Sequence, residues 1–174
     1  MNRQDYETSL LRQARAAEEM LRHVHGQVAG QMGDALPIKE IFDAQKIFIT
    51  GCGDSWLAGI AAKPAFEALT KVETYAVRAM EFSRHLSGKN LGYSPNTPLV
   101  IVISYSGEAT RAVECARRAA LRGANTLAIT SDPGSRLAKA CRHVINVGLP
   151  EGGEYFPGGT TYNDFDPSEI FGGS

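Results

Sequence analysis

The sequence predicts an α/β domain in which a doubly wound, five-stranded parallel sheet follows a long N-terminal helix. Three observations predict it. After Ala44, short β-branched runs alternate with helical patterns in the order βαβαβαβαβ. The run Leu99-Val100-Ile101-Val102-Ile103 is apolar on both faces, which a strand tolerates only when it is covered from both sides, as in a parallel sheet. Finally, 174 residues with 43% hydrophobic and 21% charged side chains suit one core, with room for an appended arm.

From Tyr6 to Met32, Leu10, Leu11, Ala14, Ala17, Met20, Leu21, Val24, Val28 and Met32 recur at three- and four-residue steps, the pattern of an amphipathic helix. Gly26 and Gly30 weaken its end, and Gly33-Asp34 before Pro37 reads as a stop. The expected organisation is a helical arm over residues 1–36, a core over 37–150 and a tail over 151–174. Strands are expected at Lys46–Thr50, Val72–Val77, Leu99–Ser104, Thr126–Thr130 and His143–Val147. Helices are expected at Ser55–Leu69, Ala79–Leu86, Glu108–Arg122 and Gly134–Cys141. Past Val147 glycine and proline interrupt every apolar period, so the tail reads as loop or as an interrupted continuation.

Several function classes drop away on composition. Lys and Arg total 18 against 19 Asp and Glu, so no bulk positive field attracts a nucleic-acid backbone. No apolar run reaches membrane-spanning length, and the start lacks the apolar core of a secretory signal, so a cytoplasmic protein is expected. Cys52, Cys115 and Cys141 are too few and too far apart for a disulfide framework or a CxxC zinc knuckle, and no metal site is expected. His23 and His25, two residues apart on a helix, do not share a face.

In an open parallel sheet, ligands bind beyond the carboxyl ends of the strands. Two loops there carry chemistry. Thr50-Gly51-Cys52-Gly53-Asp54-Ser55 joins a buried strand to a helix, whose free N–H groups and dipole attract an anion; alternatively, its glycines merely make the turn. It is not a dinucleotide fingerprint, because Trp56 stands where that pattern needs glycine or alanine, and it lacks the Gly-Lys-Ser/Thr ending of a nucleotide P-loop. The second loop, Ser104-Tyr105-Ser106-Gly107-Glu108-Ala109-Thr110, places three hydroxyls around a helix start. Such a cluster suits a dianionic phosphate, whereas an ordinary N-cap at Ser106 needs only one of them.

These residues resemble the sugar isomerase (SIS) domain family, flavodoxin-like domains that bind phosphorylated sugars. Ser104-Tyr105-Ser106-Gly107-Glu108 matches its Ser-x-Ser-Gly-Glu/Thr turn. Gly51-Cys52-Gly53-Asp54-Ser55 looks like the Gly-Cys-Gly-Thr-Ser loop of the isomerase part of glucosamine-6-phosphate synthase. Ala79-Met80-Glu81-Phe82 and Ser135-Arg136-Leu137-Ala138 match two further segments in family order. The resemblance implies that Ser104, Ser106 and Thr110 hold the phosphate, that Tyr105 presents backbone groups, and that Cys52, Gly53, Asp54 and Ser55 hold the sugar end. Asp54 departs from the family's threonine. A carboxylate about 4 Å from a phosphate charge is repelled by about 4 kcal/mol at an effective dielectric of 20, so Asp54 points toward sugar hydroxyls or an amine, or contacts nothing, which favours an amine-bearing substrate.

The resemblance further implies an aldose–ketose sugar-phosphate isomerase or an amino-sugar isomerase or deglycase, with neither metal nor nucleotide. Its catalytic base would come from a second SIS half or another subunit, and it would work as at least a homodimer. Gly158-Gly159-Thr160-Thr161-Tyr162 resembles the segment that closes over the ligand in tandem SIS proteins, although Pro167 breaks the helix that should follow. Within this chain, the acid–base candidates are Glu81 and His85, one turn apart, and Glu108, each with a structural alternative. Cys52, near a helix start, reads as a reactive thiolate or as a small packing residue, while Cys115 and Cys141 read as packing. The competing functions are a non-catalytic sugar-phosphate sensor and a nucleotide- or flavin-binding domain. Trp56 and the lack of an acidic residue ending the second strand disfavour the latter.

Overall fold

A computed structural model of the chain describes residues 9–35, 39, 43–86, 91 and 98–148. Its elements run α1 (Ser9–Ala35), β1 (Lys46–Gly51), α2 (Asp54–Thr70), β2 (Glu73–Arg78), α3 (Ala79–Arg84), β3 (Pro98–Ile103), α4 (Thr110–Leu121), β4 (Asn125–Thr130), α5 (Arg136–Ala140) and β5 (His143–Asn146). All five expected strands form, every ladder is parallel, and the order across the sheet is β2-β1-β3-β4-β5. From β1 the chain turns one way to reach β2 and the other way to reach β3. The topological switch point therefore lies between β1 and β3.

Strand alternation sorts the core into two layers. On one face Phe48, Val100, Val102 and Ala128 pack against Ala79 and Phe82 of α3, Ala112, Val113, Cys115, Ala116 and Ala119 of α4, and Leu137 of α5. On the other, Ile47, Ile49, Leu99, Ile101, Leu127 and Ile145 are covered by Ala62 and Phe66 of α2 and by Val28 and Ala35 of α1. The central strand β3 is buried from Pro98 to Val102, as its two-faced apolar run predicts. The opening Pro98 costs no internal ladder position, because proline is tolerated at a strand's first residue.

Helix α3 stops at Arg84, short of the expected Leu86. Helix α1 runs through Gly26 and Gly30 and ends at Ala35, one residue past the expected Gly33-Asp34 stop. Tertiary contacts outweigh the glycines' intrinsic cost of about 1 kcal/mol each. Val28 and Ala35 join the apolar layer. The Gln31 side-chain amide donates to the Asn146 carbonyl at 2.8 Å and accepts from the Asn146 N–H at 2.8 Å. Residues 27–148 form one compact unit; the described residues outside it, 9–26, are helical and carry an exposed Glu18–Arg22 ion pair. The expected tail, with its 158–162 segment, lies outside the described residues. Among the described residues, no helix is long and apolar enough to cross a membrane.

Candidate functional site

The two loops singled out in the sequence meet at the switch point. Gly51, the last residue of β1, pairs in register with Ile103, the last residue of β3. The turn before α2 and the turn before α4 therefore leave the sheet side by side. Backbone approach is close here: a Cβ on Gly51 would lie 2.6 Å from Ser55 Cβ and 2.9 Å from the Ile103 carbonyl oxygen. Glycine is thus required at position 51 by packing.

In the first loop, Cys52 and Gly53 are exposed, Asp54 opens α2 and is exposed, and Ser55 is half-buried. Gly53 occupies the N-cap position of α2 with φ +52° and ψ −124°, and no side chain caps the helix. The Ser55 N–H donates to the Cys52 carbonyl at 3.1 Å. Asp54 places a negative charge in the first helical turn, where the dipole stabilises it. One neighbour was not anticipated. The Arg78 guanidinium, at the end of β2 and level with Gly51, stacks 4.2 Å over the Trp56 ring, whose indole N–H reaches the Ala76 carbonyl at 3.4 Å. A positive charge therefore sits at the sheet's carboxyl edge; its position directly after a strand was the available sequence signal.

The second loop differs from expectation in its helix start. Helix α4 begins at Thr110 rather than Glu108, and its N-cap is Ala109, which has no side chain able to cap. Ser106 is therefore not the N-cap: its Oγ accepts from the Glu108 N–H at 3.3 Å inside the turn. Ser104 is buried, Tyr105 and Ser106 are exposed, and Thr110 is exposed in the first turn of α4. The hydroxyls thus surround a helix start whose first amides have no side-chain acceptor.

This turn is braced by the one that follows β4. The Tyr105 carbonyl accepts from Thr130 Oγ1 at 3.0 Å, from the Ser131 N–H at 2.8 Å and from Ser131 Oγ at 2.7 Å. Ser104 N–H donates to the Ile129 carbonyl and Leu137 N–H to the Gly107 carbonyl, both at 3.0 Å. Gly107, at φ +65°, fits against Ser135, and a Cβ there would stand 2.8 Å from Thr130 Oγ1 and closer still to Ser135. Helix α5 is shorter than expected, Arg136–Ala140, because Ser135 caps it by accepting from the Ala138 N–H. Of the three helices that follow β1, β3 and β4, only the last carries a side-chain cap.

Glu108 is occupied. Its carboxylate accepts from the Arg136 N–H at 2.9 Å and from the Arg136 side chain, while its carbonyl accepts from the same guanidinium at 2.6 Å. The Arg136 backbone bond first, and then its side chain, hold the Glu108 carboxyl below the usual carboxylate range, so it is a weaker base than an ordinary glutamate. That geometry fits a residue that shapes the turn. Glu81 is exposed in the first turn of α3, and His85 is exposed at that helix's C-cap. The bond between them runs from the His85 N–H to the Glu81 carbonyl, through the backbone.

Burial pushes the Cys115 and Cys141 thiols up to about 12, and Cys115 Sγ donates to the Ala79 carbonyl at 3.3 Å. Both are structural. Cys141 sits at the extended C-cap of α5 rather than inside a helix. Among the described residues, no three His, Cys, Asp or Glu side chains converge as a metal site.

The family model of the SIS domain matches residues 40–152. The chain belongs to the SIS domain family. This SIS domain is 32% identical over 116 residues to a glutamine–fructose-6-phosphate aminotransferase (isomerizing) from Listeria innocua, covering 66% of the chain and 18% of that enzyme. It therefore spans about a fifth of the length of this relative. The C-terminal domain of glucosamine-fructose-6-phosphate aminotransferase from Francisella tularensis superimposes with a TM-score of 0.68 at 20% identity, covering 90% of this chain and 45% of that one. A tagatose-6-phosphate ketose/aldose isomerase from Escherichia coli superimposes with a TM-score of 0.60 at 19% identity, covering 82% and 39%. These two likenesses establish the fold, and each matches a chain at least twice the size of this SIS domain.

Proposed function

We propose that this SIS domain binds a phosphorylated sugar at the β1/β3 switch point and serves as the substrate-binding part of a sugar-phosphate isomerase or amino-sugar isomerase or deglycase. One observation carries the reading. The α4 start, with Ser104, Ser106 and Thr110 around it, has first-turn amides that no side chain caps, whereas the neighbouring α5 is capped internally. Free N–H groups, hydroxyls and the positive helix end together suit a phosphate dianion. The kinship with an enzyme acting on fructose 6-phosphate, by its name, supports the same ligand class. In this reading Cys52, Gly53 and Ser55 face the sugar end, and Asp54 favours an ammonium over a second anion, which points to an amino sugar. The free cysteines suit the reducing cytoplasm.

The isomerising proton transfer needs a base near neutral pH. Glu108 is committed to Arg136; in this reading the base comes from a second SIS half or another subunit, as the family resemblance implies, with Glu81 and His85 as the candidates within the chain. The same observation favours a second reading, a sugar-phosphate sensor, which turnover of the bound sugar distinguishes. Thermal denaturation tests the site itself. Glucosamine 6-phosphate or fructose 6-phosphate at 100 times its dissociation constant is expected to stabilise the domain by about 2.7 kcal/mol, with NAD giving no shift. Ser104→Ala with Ser106→Ala is expected to remove that response. If the double variant retains it, the cradle lies elsewhere.

Self-association belongs to the same proposal, and α2 supports it. Leu57, Ile60 and Leu69 are 53%, 43% and 83% exposed, and Ala58, Ala61, Pro64, Ala65 and Ala68 are exposed between them. At about 100° per residue these positions cover half the helix circumference, and that arc holds no charge from Trp56 to Thr70, with exposed Asp54 falling on it only at the helix start. A helix apolar on its solvent side as well as its core side calls for a partner. We assign that partner to a second copy of the domain, since an uncharged stripe of small residues packs against its own image without repulsion. Sedimentation velocity is expected to show a dimer that Leu57→Glu with Leu69→Glu converts to a folded monomer; a monomeric parent protein refutes the assignment.

A further inference from the structure

We infer that a second anion site, independent of the switch-point crevice, lies between the ends of α3 and α4 and takes a small molecule carrying two phosphoryl groups. A concavity of about 480 Å³ is lined there by Ser83, Arg84, Glu114, Arg117, Arg118 and Arg122, with Leu121 at its side. That volume falls within the usual span of small-molecule sites, about 300–1,000 Å³. It lies toward the C-terminal ends of these helices, whereas the crevice lies at the N-terminal ends of α2 and α4.

The charge here is not balanced locally. Among the described residues Glu114 is the one carboxylate in the lining, and it is already saturated: Arg84 bonds one of its oxygens at 3.0 Å and Arg111 the other at 2.7 Å. The Arg111 hydrogen bond holds that carboxyl below its usual range, so it stays ionised. Among the described residues Arg118 is held by backbone carbonyls, donating to Ser83 O at 2.5 Å and to Leu86 O. Those carbonyls orient its guanidinium without neutralising it. Arg117 and Arg122 are exposed, and among the described residues neither is paired with a carboxylate.

Three uncompensated guanidiniums therefore face one hollow, in a chain whose formal net charge is −1. The negative ends of α3 and α4 carry roughly half a charge each, which offsets about one of the three. The remainder exceeds what capping requires. Guanidinium forks bind phosphoryl oxygens in pairs, and a prepositioned Arg118 loses little freedom in doing so. A single phosphate dianion balances that remainder in charge, but Arg118 and Arg122, four residues apart, are separated by about 6 Å along the helix axis, a span that two linked phosphoryl groups cover more fully than one. Exposed Leu121 offers an apolar wall to whatever joins them.

Isothermal titration with inorganic phosphate, inorganic diphosphate and fructose 1,6-bisphosphate tests the site. Diphosphate or the bisphosphate is expected to bind at least tenfold more tightly than phosphate, and the pair of probes shows whether linked or separated phosphoryl groups are preferred. Arg117→Gln with Arg122→Gln, at two exposed positions, is expected to weaken that binding at least tenfold. The same variant should leave the sugar-phosphate thermal response unchanged. Ser104→Ala with Ser106→Ala should do the reverse. Absence of binding at millimolar diphosphate, binding indifferent to the arginines, or binding lost with the serines would overturn the inference; the last outcome would place both anions in the crevice.

Discussion

Replacing Gly107 with alanine is expected to destabilise the domain by about 2–5 kcal/mol and to abolish its thermal response to sugar phosphates. Two effects combine. At φ +65° any L side chain meets left-handed backbone strain, about 1–2 kcal/mol. The added methyl also collides with Ser135 and Thr130, and overpacking of this kind costs about 1–3 kcal/mol. Neither neighbour can yield cheaply, since Ser135 caps α5 and Thr130 Oγ1 holds the Tyr105 carbonyl. Relief requires the 104–108 turn to move, and that turn carries the proposed phosphate hydroxyls. Urea denaturation measures the first effect and ligand-induced stabilisation the second. A Gly107→Ala protein with unchanged stability would show that the turn is not seated against β4 and α5 as described.

Phe82→Ala is expected to cost about 3–5 kcal/mol, the range for deleting a buried aromatic ring. Phe82 is fully buried, meets Phe48 edge to face at 5.7 Å, and Phe48 in turn stacks on Tyr75 at 5.2 Å. Its helix has six residues and no side-chain cap, so it is held by packing rather than by propensity. Losing the ring therefore loosens α3 and the adjoining end of β2, where Arg78 covers Trp56. The denaturation midpoint should fall with an unchanged slope; a loss below about 1 kcal/mol would mean that α3 is anchored elsewhere.

The strands were legible because each is a short apolar run whose two faces had to be covered, and a parallel sheet is the arrangement that covers them. Ser104, Ser106, Gly51 and Gly53 were legible because glycine and hydroxyl residues directly after such strands occupy the sheet's carboxyl edge. The helix starts were less so. Ser106 looks like a cap, yet Gly107 turns left-handed and Glu108 is drawn to Arg136, which keeps the chain non-helical as far as Ala109. That competing contact spans 28 residues, and a local pattern does not contain it. Trp56 with Arg78, and Gln31 with Asn146, were hidden for the same reason. The arginines between α3 and α4 became conspicuous only once folding had brought Arg84 of one helix against Glu114 of the other. In one dimension their charges average into a nearly neutral chain.

The pairing of Gln31 with Asn146 has a consequence beyond the length of α1. β5 ends the sheet, and its outward amide and carbonyl are groups that a strand from another molecule would seek. A glutamine side chain offers one donor and one acceptor, and here it imitates a short piece of that missing strand. The helix thereby blunts an edge that would otherwise template misassembly between molecules. Its detachment would open that edge together with the apolar layer that Val28 and Ala35 cover.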